Sequence, residues 1–228
     1  MAWPRPIPVP LLAAALVACA ALAIASAPWA LDLPALNFIF KPLATAAVIA
    51  HAWQRGASER LQRRWVLLGL VCSLAGDVAL LWPQSGFLPG LVSFLLAHLA
   101  YLRAFTARRR LAAWPPAFMA YAAVAGAVLW RLWPGVPGAL QVPVLAYVAC
   151  LAAMAAQAAV VWQGGAARGR VLALGGALFV LSDALLASNK FAAPLALANL
   201  WILSSYWAAQ WSIASWLRPA GAARDTQA

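Results

Sequence analysis

The chain has 228 residues, of which 66% carry apolar side chains and only 9% are charged. Soluble domains contain roughly 45–50% apolar and about 25% charged residues, so this composition excludes an ordinary soluble domain and predicts a polytopic membrane protein. The net charge of +11 arises from 16 Lys and Arg residues against 5 Asp and Glu residues. Because these cations lie in short clusters between apolar segments, they indicate cytoplasmic loops beside anionic lipid, and no nucleic acid is expected as a partner.

Eight apolar segments are long enough to cross a bilayer core of roughly 30 Å, which takes about 20 residues of helix. The breaks between them are short and carry charges or turn-forming residues. We therefore predict an all-α fold: a polytopic membrane helical bundle with eight transmembrane helices that forms a single domain over residues 1–228. The predicted spans are residues 9–25, 35–53, 65–82, 86–105, 111–130, 139–162, 170–188 and 194–217.

The distribution of Lys and Arg residues orients this bundle. The opposite loops hold only Arg131 and Lys190, whereas twelve cations lie at the N-terminus, in alternate loops and in the C-terminal tail. Since cytoplasmic loops carry the excess of cations, both termini are predicted to be cytoplasmic, and we expect the inner membrane of a bacterium. The twelve cations are Arg5, Arg55, Arg60, Arg63, Arg64, Arg108, Arg109, Arg110, Arg168, Arg170, Arg218 and Arg224.

The first span also resembles a signal peptide. Ala25-Ser26-Ala27 matches a small-residue cleavage site, and Leu16-Val17-Ala18-Cys19 matches a lipoprotein acylation box. Alanine-rich spans produce such matches easily, so an ordinary first helix is favoured. Cleavage would leave the other seven spans with the same orientation.

Three charged residues inside the spans are candidates for function, because an ionisable group in hydrocarbon costs at least several kcal/mol by most estimates. Asp77 and Asp183 are the carboxylates inside spans, and each lies about five residues before the outer end of its span, roughly 8 Å below the boundary. Lys41 lies at a similar depth in span two. Their shared depth predicts that the three groups face a common cavity in the outer half of the membrane.

The charges of these three groups predict acid and base roles. Two carboxylates beside one ammonium leave an excess negative charge, so mutual repulsion and burial are expected to keep one aspartate protonated. The pair would then supply one acid and one base. The alternative is a structural ion pair, in which Lys41 neutralises one aspartate and only holds helices together.

Two further pairs of polar residues share helix faces. His98 and Tyr101 are three residues apart in span four, and Tyr206 and Gln210 are four apart in span eight. His98 and Tyr206 lie some 18 Å below the outer boundary, which argues against simple interface anchors, although each could be a satisfied packing residue. The scattered cysteines and two histidines form no metal-ligand pattern, and no nucleotide-binding motif is present, so neither a metal nor a cofactor is predicted.

Several short motifs occur in order on successive spans: Lys41-Pro42-Leu43-Ala44-Thr45, Gly76-Asp77, His98 with Tyr101, Ser182-Asp183 followed by Leu185-Leu186-Ala187 and Asn189-Lys190-Phe191, and Tyr206 with Gln210. Together they resemble the YhhN-like family of lysoplasmalogenases over about residues 35–217. The resemblance implies an eight-span membrane hydrolase that cleaves the vinyl ether bond of a lysoplasmalogen to a fatty aldehyde and a glycerophospho head group. A lysophospholipid substrate and membrane lipid are the expected partners.

Residue roles follow from combining this resemblance with the predicted depths. Asp77 and Asp183 are the expected catalytic pair, since enol ether hydrolysis begins with proton transfer to carbon and passes through an oxocarbenium ion. Lys41 is expected to set their charge state, with Thr45 steadying it, and Lys190 in the outer loop to hold the substrate phosphate. The supporting set comprises Lys41, Thr45, His98, Tyr101, Asn189, Lys190, Tyr206 and Gln210.

Two other classes of function remain open at this point. A proton-coupled transporter or channel also uses paired intramembrane carboxylates. Its broken helices would place prolines at equivalent positions in two halves of the chain, which Pro115-Pro116 and Pro143 do not. A noncatalytic lipid-binding or assembly protein is the third possibility.

Overall fold

The computed structural model describes residues 6–82 and 84–219. This part of the chain is all-helical and contains eight α-helices, which we number α1 to α8. Their bounds are Val9–Ala25 (α1), Pro34–Trp53 (α2), Arg60–Ala79 (α3), Phe87–Thr106 (α4), Pro115–Leu132 (α5), Gly138–Gln163 (α6), Gly169–Phe191 (α7) and Ala198–Trp216 (α8), with a 3₁₀ turn at Trp133–Gly135 after α5. Arg5 and Arg224, which the sequence assigns to the cytoplasmic side, lie outside the described residues.

Within those limits, five helical segments are long and apolar enough to cross a membrane: Pro34–Trp53, Phe87–Thr106, Pro115–Gly135, Gly138–Gln163 and Gly169–Phe191. The helix Val9–Ala25 is apolar but shorter. The all-helical fold class is confirmed, and the chain is a multi-pass integral membrane protein. The count of eight spans and the orientation stay predictions.

Several helix boundaries differ from the predicted spans. α3 begins at Arg60, five residues before the predicted start, because arginine is a good helix former and the helix continues into the charged loop. α5 begins only at Pro115, where proline at the first turn fixes φ. α8 begins at Ala198, after Leu197 with a left-handed φ of 55°. α7 continues to Phe191, so Asn189 and Lys190 lie in its last turn and not in a loop.

The helices α2, α3, α4, α6, α7 and α8 form a ring in which each packs against its neighbours. α1 packs outside α2 and α8, and α5 packs mainly on the outside of α6. Close approach of α3 and α4 depends on two glycines: the Tyr101 ring covers Gly69, and the Phe94 ring covers Gly76. This contact fixes the register of the two helices that carry Asp77 and His98.

One end of the bundle is closed by contacts between the ends of α2 and α8. The Arg55 guanidinium donates to the carbonyl oxygens of Leu217 at 2.9 Å and Ser215 at 3.2 Å. The imidazole of His51 lies 3.0 Å from the Ser215 hydroxyl and stacks on Trp211. These bonds hold the ends of α2 and α8 together, and Arg55 and Arg218, both assigned to the cytoplasmic side from the sequence, accordingly lie at the same end.

Candidate active site

Asp77 on α3 is fully enclosed by polar partners from α2 and α8. Its Oδ1 atom lies 3.6 Å from Lys41 Nζ, and its Oδ2 atom accepts hydrogen bonds from the hydroxyls of Thr45 at 2.6 Å and Tyr206 at 2.7 Å. Lys41 and Thr45 reach it together because residues four apart share a helix face. The predicted approach of Lys41 to Asp77 is confirmed, but Thr45 bonds to the aspartate and not to the lysine.

A second layer of hydrogen bonds holds these partners in place. Gln210 Nε2 donates to the Tyr206 hydroxyl at 3.2 Å, and the Tyr101 hydroxyl donates to Gln210 Oε1 at 2.6 Å. On the other side, Trp207 Nε1 donates to Thr45 Oγ1 at 3.1 Å. Such a connected buried network fixes side-chain geometry, because each member loses a partner if another moves.

Asp183 on α7 has a different environment from Asp77. The Tyr147 hydroxyl on α6 donates to its Oδ2 atom at 2.6 Å. Among residues 6–82 and 84–219, no salt bridge joins Asp183 to Lys41 or to any other cation. The cavity that Asp183 lines includes neither Lys41 nor Asp77 among its lining residues, so the predicted common cavity of the three charged groups is wrong for Asp183. Depth along a helix does not fix the direction of a side chain, and α7 packs against α6 and α8, whereas Lys41 and Asp77 belong to α2 and α3.

Asp183 and Tyr147 lie on the wall of a cavity of about 100 Å³ between α5 and the ring of helices. Nearly all the other lining residues are aliphatic or phenylalanine side chains. A carboxyl group and a phenol are thus presented to an apolar space that suits part of a hydrocarbon chain. The other lining residues include Leu91, Phe94, Val124, Val128, Leu129, Val148, Leu151 and Val180.

A second pocket of about 300 Å³ adjoins this cavity. Phe87 and Phe191, whose rings meet edge to face at 5.8 Å, line both spaces. The second pocket contains the polar side chains of Gln84, Ser85 and Lys190. Lys190 Nζ lies 4.2 Å from the centroid of the Phe87 ring, a cation–π contact at the junction of the two spaces.

The side chain of Asn189, in contrast, forms a hydrogen bond with the backbone. Its Oδ1 atom accepts a hydrogen bond from the Leu195 amide at 2.9 Å and so closes the turn after α7. The structure gives this predicted supporting residue a turn-stabilising contact and no place among the residues that line the two pockets.

His98 is fully buried in α4 beside the Asp183 cavity. Its ring lies edge-on to the rings of Tyr147 at 5.2 Å and Phe179 at 4.7 Å. Neither ring nitrogen has a hydrogen-bond partner in the part of the chain that the structure describes. His98 and Tyr101 share a face as predicted, but only Tyr101 joins the network around Asp77.

Two residues of the site were missed from the sequence, Tyr147 and Trp207. Tyr147 is one of only four tyrosines in the chain and lies in the middle of an apolar segment, where a phenol hydroxyl needs a partner. That signal would have marked it as a candidate. Trp207 gave no such signal among 13 tryptophans. In the described ranges, no group of three or more His, Cys, Asp or Glu side chains could hold a metal ion.

Comparison with known proteins places the chain in a family. It is 39% identical over 160 residues to lysoplasmalogenase TMEM86B of Sus scrofa, covering 68% of this chain and 62% of that protein. It is 36% identical over 157 residues to lysoplasmalogenase TMEM86A of Homo sapiens, covering 65% and 63%, and 31% identical over 173 residues to lysoplasmalogenase of Mycobacterium tuberculosis, covering 69% and 59%. The chain thus spans about three fifths of the length of these relatives.

No solved structure matches the chain significantly. The sequence profile of the YhhN family matches residues 36–217, which include all the residues of the two carboxylate sites. The chain therefore belongs to the YhhN family.

Proposed function

We propose that this protein hydrolyses the vinyl ether bond of lysoplasmalogens, or of a closely related lysolipid, to a fatty aldehyde and a glycerophospho head group. The observation that carries the proposal is the position of Asp183 and Tyr147 on the wall of an apolar cavity that adjoins a polar pocket with a lysine. The names of the relatives, all lysoplasmalogenases, support the same activity.

The two adjoining pockets suit the two parts of a lysolipid. The apolar cavity accepts a short part of one hydrocarbon chain, and Lys190 in the polar pocket offers a cation to the phosphate. Asp183 and Lys190 are seven residues apart, about 10 Å along α7. The ether bond of a lysoplasmalogen lies between chain and phosphate, so binding in this orientation brings the bond to the level of Asp183.

In the proposed reaction, Asp183 is the acid. The cavity offers it no cation and one phenol donor, and a carboxyl group in such surroundings is best suited to carry a proton. It protonates the alkenyl carbon that does not bear oxygen, which leaves an oxocarbenium ion at the neighbouring carbon. Water adds there and passes a proton to the Asp183 carboxylate. The resulting hemiacetal then collapses: its carbon–oxygen bond to glycerol breaks, the glycerol oxygen takes the proton from Asp183, and the hemiacetal hydroxyl gives its proton to Asp183 as the aldehyde departs.

Asp77 is the proposed ionised member of the pair. Its oxygens accept hydrogen bonds from the hydroxyls of Thr45 and Tyr206 and form an ion pair with Lys41. These contacts favour a carboxylate at this position. The Tyr206 ring packs edge-on at 5.8 Å against Phe94, which lines the cavity. Through this contact the Asp77 network borders the cavity wall, and the Asp77 carboxylate would favour an oxocarbenium ion formed in the cavity.

We also propose eight membrane spans with both termini in the cytoplasm of a bacterial cell and the two pockets towards the outer side. The bias of Lys and Arg residues supports this orientation. Single cysteines introduced at Ser85 and Ala57, in a protein lacking its native cysteines, test it. A membrane-impermeant thiol reagent should label the first in intact cells and the second only after permeabilisation, and the reverse pattern would invert the topology.

One assay tests the proposed activity. The detergent-purified protein is incubated with a 1-alkenyl lysophospholipid and, separately, with the ester lysophospholipid of the same chain and head group. We expect aldehyde from the first and no fatty acid from the second. No aldehyde from properly folded protein would overturn the proposal, and proton flux in liposomes without any turnover would favour a transporter.

A further inference from the structure

The buried imidazole of His98 has no role in the reaction as described so far. A neutral imidazole carries one hydrogen-bond donor and one acceptor, and both are unpaired within the described ranges. Its exposed fraction is 0%, so bulk solvent does not reach it. Buried polar groups are nearly always paired with protein or ordered water, which makes such a residue a marker of a bound polar ligand.

A second buried polar group lies on the neighbouring helix. The hydroxyl of Ser73 on α3 makes no hydrogen bond of ordinary geometry in residues 6–82 and 84–219, and it lies near the Tyr101 hydroxyl. The contacts of Gly69 with Tyr101 and of Gly76 with Phe94 set the register of α3 against α4. Ser73 lies midway between the two glycines, so it faces the turn of α4 midway between the two rings, which is the turn that carries His98.

We propose that His98 and Ser73 form an internal binding site for the water molecule that the hydrolysis consumes, an inference that rests on the proposed function. An imidazole and a hydroxyl together offer donors and acceptors to one small ligand that both gives and accepts hydrogen bonds, and a buried water needs two to four such partners. The surrounding rings of Tyr147 and Phe179 exclude larger polar ligands.

The position of this site fits the requirements of the reaction. The cavity wall is apolar apart from Asp183 and tyrosine hydroxyls, so it offers few groups that could hold water beside a bound hydrocarbon chain. His98 touches Tyr147, which bonds to Asp183 at that wall. Water held by His98 would therefore lie one side chain, Tyr147, away from Asp183 and the oxocarbenium carbon.

The proton balance of the step is closed by Asp183. After giving its proton to the alkenyl carbon, Asp183 is a carboxylate. The water oxygen bonds to the oxocarbenium carbon and its surplus proton passes to this carboxylate. As the hemiacetal collapses, Asp183 gives this proton to the glycerol oxygen and takes the proton of the hemiacetal hydroxyl, which forms the aldehyde and restores the acid. His98 remains neutral throughout and acts as a positioning residue through the water.

A spectroscopic experiment on the wild-type protein tests the site without relying on activity. The chain has two histidines, so ¹⁵N-histidine labelling gives two imidazole spin systems, and the loss of one in His98→Gln assigns them. We expect magnetisation transfer from water to the His98 ring. Absence of transfer to His98, with the ring observed and the protein folded, would overturn the site. If wild-type protein shows this transfer but releases no aldehyde, the proposed function fails and the water site stands.

Kinetics test whether the site supplies the reaction. His98→Phe replaces the imidazole by an apolar ring and should lower kcat roughly tenfold or more with little change in KM, because the misplaced reactant is water and not the lipid. His98→Gln keeps a donor and an acceptor and should restore most of the rate. Wild-type kcat in His98→Phe would overturn the supply role.

Discussion

The Tyr147 hydroxyl donates a hydrogen bond of 2.6 Å to Asp183 Oδ2, and the two side chains share the wall of the apolar cavity. Asp77, in contrast, has three donors and lies within a closed network. The two aspartates therefore differ in access: Asp183 faces the space that a hydrocarbon chain can occupy, whereas Asp77 is held by its neighbours.

Tyr147→Phe should lower kcat roughly tenfold while KM changes little, because the phenol orients the acid and does not contact the head group. The matched control is Tyr121→Phe, since Tyr121 lines the same cavity. Aldehyde release measured over a range of substrate concentrations separates the two constants. Equal losses in both variants would mean that the Tyr147 hydroxyl acts only through packing.

Lys41→Met should destabilise the fold by about 3–5 kcal/mol, because it leaves the buried Asp77 carboxylate without its cation. Adding Asp77→Asn to the same chain should recover most of this stability, since the unpaired charge is gone. Thermal unfolding in detergent measures both changes. We also expect the single variant to shift the pH–activity profile as well as lower its maximum.

The double variant Lys41→Met with Asp77→Asn separates the catalytic role of the pair from a structural one. Under the proposed mechanism it is stable but inactive. Recovery of wild-type aldehyde release together with stability would show that Lys41 and Asp77 only hold α2 and α3 together.

Lys190→Gln should raise KM well above any effect on kcat, because the change removes the cation offered to the substrate phosphate. Arg131→Gln is the control, since Arg131 is the other cation assigned to the outer side from the sequence. Steady-state kinetics with purified protein measure both variants. If Lys190→Gln leaves KM unchanged, Lys190 is a membrane anchor and not part of the site.

Gly76→Ala should destabilise the fold by about 1–3 kcal/mol through overpacking. A Cβ atom at Gly76 would lie 2.6 Å from Phe94 Cε2, so the ring that lines the cavity would have to move. Gly126→Ala on α5 is the control, because nothing lies within 4 Å of a Cβ there. Unfolding free energies that are equal for the two variants would contradict the described packing of α3 on α4.

Helix positions and residue depths could be predicted from the sequence because both depend on local pattern. The lengths of the apolar segments predicted where the helices lie. The equal depths of Lys41 and Asp77 along their helices predicted that the two side chains meet, as they do. The rotation of a helix about its axis depends on its neighbours, which single-sequence patterns do not contain. Asp183 therefore turned out to face Tyr147 and the cavity, away from Lys41.

Contacts of residues at helix ends could not be predicted from the sequence either. Asn189 and Lys190 were expected in an outer loop, yet α7 includes both, because no residue before Pro194 interrupts the helix. Asn189 then bonds to the Leu195 amide, a contact that depends on the conformation of the turn. Partners of this kind, like Tyr147 for Asp183, follow only from the folded structure.

Asp183→Asn should lower turnover by about 10²–10⁴-fold, the usual contribution of general acid catalysis. We expect a comparable loss for Asp77→Asn, because the ionised member of the pair, which favours the oxocarbenium ion, is removed. Asp183→Asn should still insert and purify, since asparagine preserves size and hydrogen bonding, whereas Asp77→Asn leaves the buried Lys41 ammonium without its counter-ion and is expected to be less stable. The combined variant should be little worse than either single one, because removing one member disables the pair.

The most direct test of the account is the rate of aldehyde release from 1-alkenyl lysophospholipid by purified Asp183→Asn beside the wild-type protein. Asparagine can keep the contact with Tyr147 but cannot deliver a proton to carbon. We predict that release falls by at least about 10²-fold in a protein of unchanged thermal stability. Aldehyde release near the wild-type rate would contradict the assignment of Asp183 as the acid, and with it the proposed mechanism.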